Sequence, residues 1–119
     1  NGFAGETCWS TIPSNTVYPG FKDYKQLQFG WEDGDQWTPA ECDVSIRPGW
    51  FYHEKEDSKV KTVEDLCDLY YKSVGHNATM LLNFPVDKDG LIHPIDSANA
   101  VNFHRKIRII CQSTERHHT

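Results

Sequence analysis

Residues 62–84, TVEDLCDLYYKSVGHNATMLLNF, predict a helix followed directly by a short strand. Thr62, with Asp65 three residues later, forms a variant capping box that marks the start of the helix. Gly75 is placed where the left-handed residue that ends a helix is expected. Residues 78–84 form an almost continuous apolar run, which is typical of a strand buried on both faces. The apolar face of the helix is formed by residues at helical spacing: Val63, Leu66, Cys67, Tyr70, Tyr71 and Val74. The stretch therefore predicts one helix–strand unit of an α/β fold.

A second strand and a second helix flank this unit. Upstream, residues 44–47 and 50–53 are predicted as one strand that Pro48-Gly49 interrupts. Downstream, Asp96 is predicted to cap a helix with one apolar face, which carries Ala100, Phe103, Ile107 and Ile110. Strand–helix–strand–helix order is the pattern of an α/β barrel or of a doubly wound sheet. Two such units cannot close a barrel, so we interpret the chain as part of a larger fold.

Around these two units the chain is less regular. Residues 1–43 are predicted to be loop-rich, because the first 36 residues are rich in Gly, Pro, Asn and Asp with scattered aromatics. Long loops in a compact domain usually carry binding residues. Residues 44–110 hold the two strand–helix units, and residues 111–119 are predicted to be a polar, frayed tail.

Composition and charge exclude several classes of partner. The chain has 119 residues, a net charge of −5 and 38% hydrophobic residues, as soluble globular domains do. Nucleic-acid binding relies on clustered Lys and Arg, so no nucleic-acid partner is predicted. No apolar run approaches the roughly 20 residues that span a bilayer, so no membrane partner is predicted either.

The cysteines do not indicate a metal or a cofactor. Cys8, Cys42, Cys67 and Cys111 are widely spaced and form no CxxC pair, so neither a zinc site nor a redox motif is predicted. We expect free and mostly buried thiols, with one or two disulfides as the alternative.

Residues 37–53, WTPAECDVSIRPGWFYH, hold the candidate functional side chains. Two carboxylates, an arginine and several aromatics are the groups that a sugar-processing site uses, because acids bind hydroxyls or transfer protons while aromatic faces stack on a pyranose. Glu41 is a candidate catalytic acid/base, a contact to a sugar hydroxyl, or a structural carboxylate paired with Arg47. Asp43 is a candidate substrate-binding residue with the same structural alternative.

Arg47, Trp50 and His53 complete the set of candidate substrate-binding residues. Arg47 either orients a binding or catalytic carboxylate through a bidentate ion pair, or forms a salt bridge that connects the strand to the loop. Trp50 follows the Pro48-Gly49 break, and its ring either stacks on a sugar or packs in the core. His53 is either a substrate contact or a structural hydrogen-bonding residue.

Two long blocks resemble the catalytic domain of retaining α-L-fucosidases. These blocks are ECDVSIRPGWFYH at residues 41–53 and VEDLCDLYYKSVGHNATMLLNFPVDKDGLIHPID at residues 63–96. NGFAGETCW, at residues 1–9, also resembles a loop of the branch that acts on α-1,3/1,4-linked fucose. The resemblance covers the chain from its first residue to about Lys106 and places it in the C-terminal part of the catalytic barrel.

The resemblance implies a partial (β/α)₈-like barrel and a two-carboxylate retaining mechanism that needs no cofactor. The nucleophile of the family is an aspartate in a WFDG motif, and the four-residue sequence WFDG does not occur in this chain. In the branch that it resembles, the acid/base glutamate is expected in a Gly-Asn-Glu segment at or just before Asn1. The resemblance thus implies a missing N-terminal half of the barrel, a fucosylated oligosaccharide substrate and a secreted or periplasmic location.

Two functions remain open from the sequence. One is a glycoside hydrolase that releases α-L-fucose, of which this chain supplies the second half of the site. The other is a non-catalytic remnant that binds fucose or a glycan without a nucleophile. The presence of a WFDG-bearing segment in the parent chain discriminates between them.

Overall fold

The computed structural model of the chain describes residues 9–38 and 40–117, with side chains described as far as Gln112. Cys8 and most of the 1–9 motif lie outside the described residues. The helices are α1 (Tyr24–Phe29), α2 (Val63–Ser73) and α3 (Pro94–His117), with 3₁₀ turns at Glu54–Lys59 and Val74–His76. The strands are β1 (Thr11–Ile12), β2 (Gln36–Trp37), β3 (Glu41–Ser45) and β4 (Thr79–Asn83). The chain is a mixed α/β fragment, and the predicted order of strand, helix, strand and helix is confirmed for β3, α2, β4 and α3.

The strands form two small sheets. β1 and β2 pair antiparallel, with Thr11 opposite Trp37. β3 and β4 are hydrogen-bonded neighbours in the other two-stranded sheet. The chain divides into two compact units: one holds the residues up to Val44 together with residues 68–83, and the other holds residues 45–67 and those from Phe84 onward.

In the first unit, Trp9 joins two otherwise separate segments. Its ring stacks on His76, with 3.8 Å between ring centroids, and its amide N–H donates to the carbonyl of Phe29 at 2.8 Å. Gly30 is required beside it, because a Cβ at this position would lie 2.1 Å from the Trp9 carbonyl oxygen and φ is +68°. A small core of Cys42, Ala78 and Ala40 lies in the same unit.

Helix α1 is a feature that the sequence analysis missed within the loop-rich region. Asp23 caps it, since its carboxylate accepts the Gln26 amide N–H at 3.2 Å. At the other end, the amide of Gly30 donates to the carbonyl of Gln26 at 2.9 Å. The prediction of loops with at most short strands is therefore wrong for residues 24–29.

The start of α2 is as predicted, but its end and its buried face differ. Thr62 Oγ1 accepts the Asp65 N–H at 3.2 Å, and Asp65 accepts the Thr62 N–H at 3.1 Å, so the capping box is reciprocal. The left-handed residue after the helix is Asn77, with φ of 67°, and not Gly75. The face of α2 that is fully buried consists of Leu66, Cys67, Leu69 and Ser73, whereas Tyr71 and Val74 are exposed.

Two strand predictions are corrected. β4 is not buried on both faces, because Thr79 and Leu81 are exposed while Met80 and Leu82 are partly buried. This alternation is what a strand in a sheet covered on one side shows. The predicted strand at 50–53 is absent: β3 ends at Ser45, and the chain bends through residues 46–51. Pro48 has no backbone N–H with which to donate a hydrogen bond to a sheet. The His53 carbonyl accepts a hydrogen bond from the Arg47 side chain at 3.3 Å.

Helix α3 begins earlier and ends later than predicted. Its cap is His93, whose Nδ1 accepts the Ile95 N–H at 3.2 Å, and not Asp96, whose carboxylate is engaged elsewhere. The helix continues to His117, so the predicted tail at 111–119 is helical over most of its length. The predicted apolar face is confirmed as its half-buried side, on Ala100, Phe103, Ile107 and Ile110.

Cysteines and hydropathy complete the description. Cys67 and Cys111 are free thiols; Cys67 and Cys42 are buried, and Cys111 is exposed. Among the helices within residues 9–38 and 40–117, none has both the length and the apolarity that crossing a membrane requires.

Candidate functional site

The candidate residues fall on two different structural elements. Glu41 and Asp43 lie on β3 in the first unit, and Arg47, Trp50 and His53 lie in the second unit, in and after the bend that follows the strand. Each group is described by itself.

Glu41 and Asp43 form a pair of neighbouring carboxyl groups. Residues i and i+2 of a strand point to the same face, and here both acids are exposed while Cys42 and Val44 point inward and are buried. A hydrogen bond with Asp43, and then the negative charge of Asp43, raise the pKa of Glu41 above its ordinary value of 4.5. A carboxyl group that holds its proton to higher pH is better suited to donate one, and its ionised form accepts a hydrogen bond from a sugar hydroxyl.

Arg47 is the centre of a buried ionic cluster. Its side chain is completely buried, and its Nε and Nη2 donate to the two oxygens of Asp96 at 2.8 and 2.9 Å. Nη1 donates to Asp57 at 2.8 Å and to the carbonyl of His53 at 3.3 Å. The guanidinium carbon lies 4.6 Å from the centre of the Tyr52 ring, within the range of a cation–π contact.

This cluster shifts the titration of its members. The hydrogen bond from Arg47 holds the pKa of Asp57 below its ordinary value of 3.8, and His93 and the Tyr52 hydroxyl act in the same direction. The hydrogen bond with Asp96 raises the pKa of Arg47 further above the physiological range. Burial, followed by the charge of Asp57, raises the pKa of Tyr52. At neutral pH the cluster therefore holds the Arg47 guanidinium in its charged form, with Asp57 ionised beside it.

The geometry bears on what Arg47 can do. A guanidinium with no exposed surface and with Asp57 and Asp96 as its carboxylate partners is satisfied inside the chain. Substrate binding by Arg47 stays a prediction. The structural alternative for Glu41 and Asp43 also stays a prediction.

Trp50 and His53 lie on the surface of the second unit. Trp50 is 53% exposed within this chain. The His53 side chain is exposed, and its main chain is fixed, because its carbonyl accepts from Arg47 and from the amide of Glu56 at 2.9 Å. The sugar contacts assigned to these two side chains stay predictions.

A cleft of about 610 Å³ lies beside them, between residues 51–54 and residues 86–89. Sequence reasoning missed this cleft, because its two walls are more than 30 positions apart in the chain. It also missed Asp57 and Asp96 as partners of Arg47. Asp96 stands out as an acidic residue in the first turn of α3, but that position was interpreted as a helix cap.

Comparison with known proteins shows which family the chain resembles. The family model described as alpha-L-fucosidase matches residues 10–103, a stretch that holds every candidate residue. Alpha-L-fucosidase 1 of Arabidopsis thaliana is 46% identical over 95 residues, which are 80% of this chain and 18% of that protein. The chain thus spans less than a fifth of the length of this relative.

Two solved structures are similar to the chain. A glycoside hydrolase 29 family member from an unknown rumen bacterium is 47% identical with a TM-score of 0.71, over 89% of this chain and 18% of that one. A GH29 fucosidase of Ruminococcus gnavus in complex with fucose is 37% identical with a TM-score of 0.65, over 90% of this chain and 21% of that one. The similarity covers both compact units, since it extends over most of the chain.

Proposed function

The chain belongs to the alpha-L-fucosidase family, and on that premise we propose that it supplies part of the site at which a glycoside hydrolase releases α-L-fucose from fucosylated glycans. The observation that carries the proposal is the family match over residues 10–103, which includes Glu41, Asp43, Arg47, Trp50 and His53. The fucose complex of the R. gnavus relative supports fucose as the sugar.

The proposed mechanism is retaining and uses two carboxyl groups. One carboxylate attacks the anomeric carbon and forms a glycosyl-enzyme, while a carboxylic acid protonates the leaving oxygen and later takes a proton from water. Glu41 is the candidate for the second role in this chain, and its raised pKa supports that role. Binding of a sugar hydroxyl by Glu41 is the other role that its exposed position allows.

The nucleophile is not among these 119 residues in our proposal, because the four-residue sequence WFDG does not occur among them. The residues present would then bind and orient the sugar without completing the reaction. Asp43 would accept hydrogen bonds from hydroxyl groups, and Trp50 would stack on the apolar edge of fucose. Arg47 would act indirectly, by fixing the positions of its neighbours, because it donates to the His53 carbonyl and lies over the Tyr52 ring.

The proposed fold of the parent protein is a (β/α)₈-like barrel, with this chain as its C-terminal part. The order of β3, α2, β4 and α3 supports the barrel, as does the similarity to the solved glycoside hydrolase 29 structure. The proposed substrate carries α-1,3/1,4-linked fucose. A glycan-binding remnant without catalysis is the second candidate, and a WFDG-bearing segment in the parent chain would argue against it.

The experiment that tests the sugar assignment follows the indole N–H signals of the four tryptophans by NMR. The Trp50 signal is identified by its loss in Trp50→Phe. We expect L-fucose to shift this signal in a saturable way, and D-fucose, its mirror image, to leave it in place. A Trp50 signal that ignores L-fucose would contradict the proposal.

A further inference from the structure

Residues 77–79, Asn-Ala-Thr, have the sequence at which secreted proteins carry N-linked glycans. The acceptor sequence is Asn-X-Ser/Thr with any residue except Pro in the middle, and it occurs once in the printed sequence. None of the candidate roles above uses these three residues. A match of three residues is a weak signal by itself, so the structure around Asn77 decides whether a glycan can be attached there.

The fold exposes the two outer side chains of this sequence. Asn77 and Thr79 are both exposed within this chain, whereas Ala78 between them is 6% exposed and packs with Cys42. The almost continuous apolar run at 78–84 predicts that Thr79 is buried, but β4 is covered on one side only and Thr79 lies on its exposed side. Because a glycan is bulky and hydrophilic, it requires an asparagine whose surroundings are open to solvent, as those of Asn77 are.

The backbone around the acceptor sequence is held by hydrogen bonds that do not involve its side chains. The N–H of Asn77 donates to the carbonyl of Val74 at 3.0 Å, at the end of the 3₁₀ turn. The N–H of Thr79 donates to the carbonyl of Ala40 at 2.8 Å, at the start of β4. A group attached to the Asn77 side chain therefore removes none of the bonds that hold this turn.

The polar groups of the two side chains have no partner inside the described part of the chain. There, neither the amide group of Asn77 nor the hydroxyl of Thr79 forms a hydrogen bond. The left-handed backbone of Asn77, with φ of 67°, gives a structural reason for an asparagine at this position. That role uses the backbone, however, and leaves the side-chain amide nitrogen open to reaction.

We propose that Asn77 is the acceptor of an N-linked glycan when the chain is in a secretory compartment that contains an oligosaccharyltransferase. The donor is an oligosaccharide joined through a diphosphate to a membrane lipid. Asn77 Nδ2 forms a bond to the anomeric carbon of the first sugar, and the bond from that carbon to the diphosphate oxygen breaks. One proton leaves Nδ2, and the lipid diphosphate is the leaving group. The transferase recognises the acceptor by the hydroxyl of Thr79.

The test synthesises the full chain behind a cleavable secretory leader in the presence of endoplasmic-reticulum microsomes. We expect one discrete band of slower migration on a denaturing gel, which peptide N-glycosidase returns to the position of the unmodified chain. The enzyme converts a glycosylated asparagine to aspartate, so mass spectrometry of the released chain identifies the acceptor. A reporter protein with a known acceptor sequence verifies that the microsomes are active.

Two variants remove the site in different ways. Asn77→Gly removes the acceptor and keeps a residue that adopts a left-handed backbone, and Thr79→Val removes the hydroxyl but keeps a β-branched residue in the strand. Both are expected to lose the slower band, whereas Thr79→Ser keeps a hydroxyl and is expected to retain it. Asn15→Gly is the matched control: Asn15 is also an exposed asparagine in a turn, but Val17 follows two residues later, so the slower band is expected to persist.

The folded state is tested on glycosylated chain purified from a eukaryotic secretion host. We expect its circular dichroism spectrum and thermal unfolding midpoint to match those of the same chain after enzymatic removal of the glycan, because the glycan lies on the surface.

Three results would overturn the inference. The first is an unchanged chain that stays unmodified in microsomes that glycosylate the reporter. The second is a slower band that persists in Thr79→Val, and the third is a glycosylated chain that is unfolded where the enzymatically released chain is folded. The inference does not rest on the proposed function, since none of these measurements involves fucose.

Discussion

The guanidinium of Arg47 and the carboxylate of Asp96 form a bidentate ion pair in which both side chains are completely buried. The two hydrogen bonds measure 2.8 and 2.9 Å and join residues that are 49 positions apart in the chain. Two parallel bonds between planar groups fix orientation as well as distance. The pair therefore holds the first turn of α3 against the bend that follows β3, within the second compact unit.

Loss of one partner of this pair should be far more costly than loss of both. Arg47→Met leaves Asp96 buried and unpaired, and we expect a loss of about 3–5 kcal/mol in the free energy of unfolding. The double variant Arg47→Met/Asp96→Leu should recover much of this loss, because neither fully buried charge is then left, and Asp57, whose side chain is 30% exposed, stays in contact with solvent. Urea unfolding of the single and double variants measures the difference.

The control is Asp68→Asn, which removes an exposed pair with Lys72 and should cost about 0–1 kcal/mol. If the loss of unfolding free energy in the double variant equals the sum of the losses in Arg47→Met and Asp96→Leu, the pair does not act as a unit.

Acid should destabilise the protein through Asp57. The folded-state pKa of Asp57 is held below the ordinary 3.8, chiefly by Arg47, so the folded state binds this proton less tightly than the unfolded state does. The resulting stability is present above pH 3.8 and is lost as the pH falls through the lower, folded value. Thermal unfolding between about pH 2 and pH 7 should show this loss, and Asp57→Asn should flatten the acid side of the profile. If Asp57→Asn leaves the slope of stability against pH unchanged on the acid side, Asp57 is not the source of the loss.

The two acids on β3 should titrate as a coupled pair. Asp43 raises the pKa of Glu41 by a hydrogen bond and by its charge, so Asp43→Asn should lower the Glu41 pKa toward or below 4.5. With the raised pKa, Glu41 favours the folded state below its ordinary pKa, and this contribution is lost as the pH rises through the folded value. Carbon-13 NMR of the side-chain carboxyls follows the titration directly. A Glu41 pKa that does not respond to Asp43→Asn would show that the two groups are independent.

The capping box of α2 should be worth about 1 kcal/mol, as caps of this kind usually are. Thr62→Ala removes the hydroxyl that accepts the Asp65 N–H, so the free energy of unfolding should fall by that amount. Ser58→Ala, at an exposed position of the 54–59 turn, removes a hydroxyl without a capping role and should have little effect. Equal losses in both variants would mean that the cap does not contribute.

The features that could be predicted from the sequence depend on neighbours in the chain. Thr62 and Asp65 are three residues apart, and the buried positions Leu66 and Cys67 follow from the helical period. α1 was equally local, with Asp23 before it and Gly30 after it, but its six residues are too few to show a period. Asn77 takes the left-handed position because Asn, with its short polar side chain, tolerates that conformation better than most residues other than Gly do.

The candidate site shows the opposite limit. The 37–53 stretch indicates which side chains to consider, and their roles in sugar binding stay predictions. Asp96 could not be identified as the partner of Arg47, because a helix cap and an ion pair place the same residue type in the same first turn. The cleft beside Phe51 depends on a turn at residues 86–90, and only the folded chain brings it opposite residues 51–54.

We propose that this chain binds fucose but does not hydrolyse a fucoside by itself. A calorimetric titration of the folded chain with L-fucose, alongside an assay of phenol release from an aryl α-L-fucoside, tests both parts of this proposal. We expect saturable binding of L-fucose and no release above the uncatalysed rate, since an acid/base carboxyl group cannot replace a positioned pair of acid/base and nucleophile. Release of phenol by the purified chain, or a folded chain that does not bind L-fucose, would contradict it.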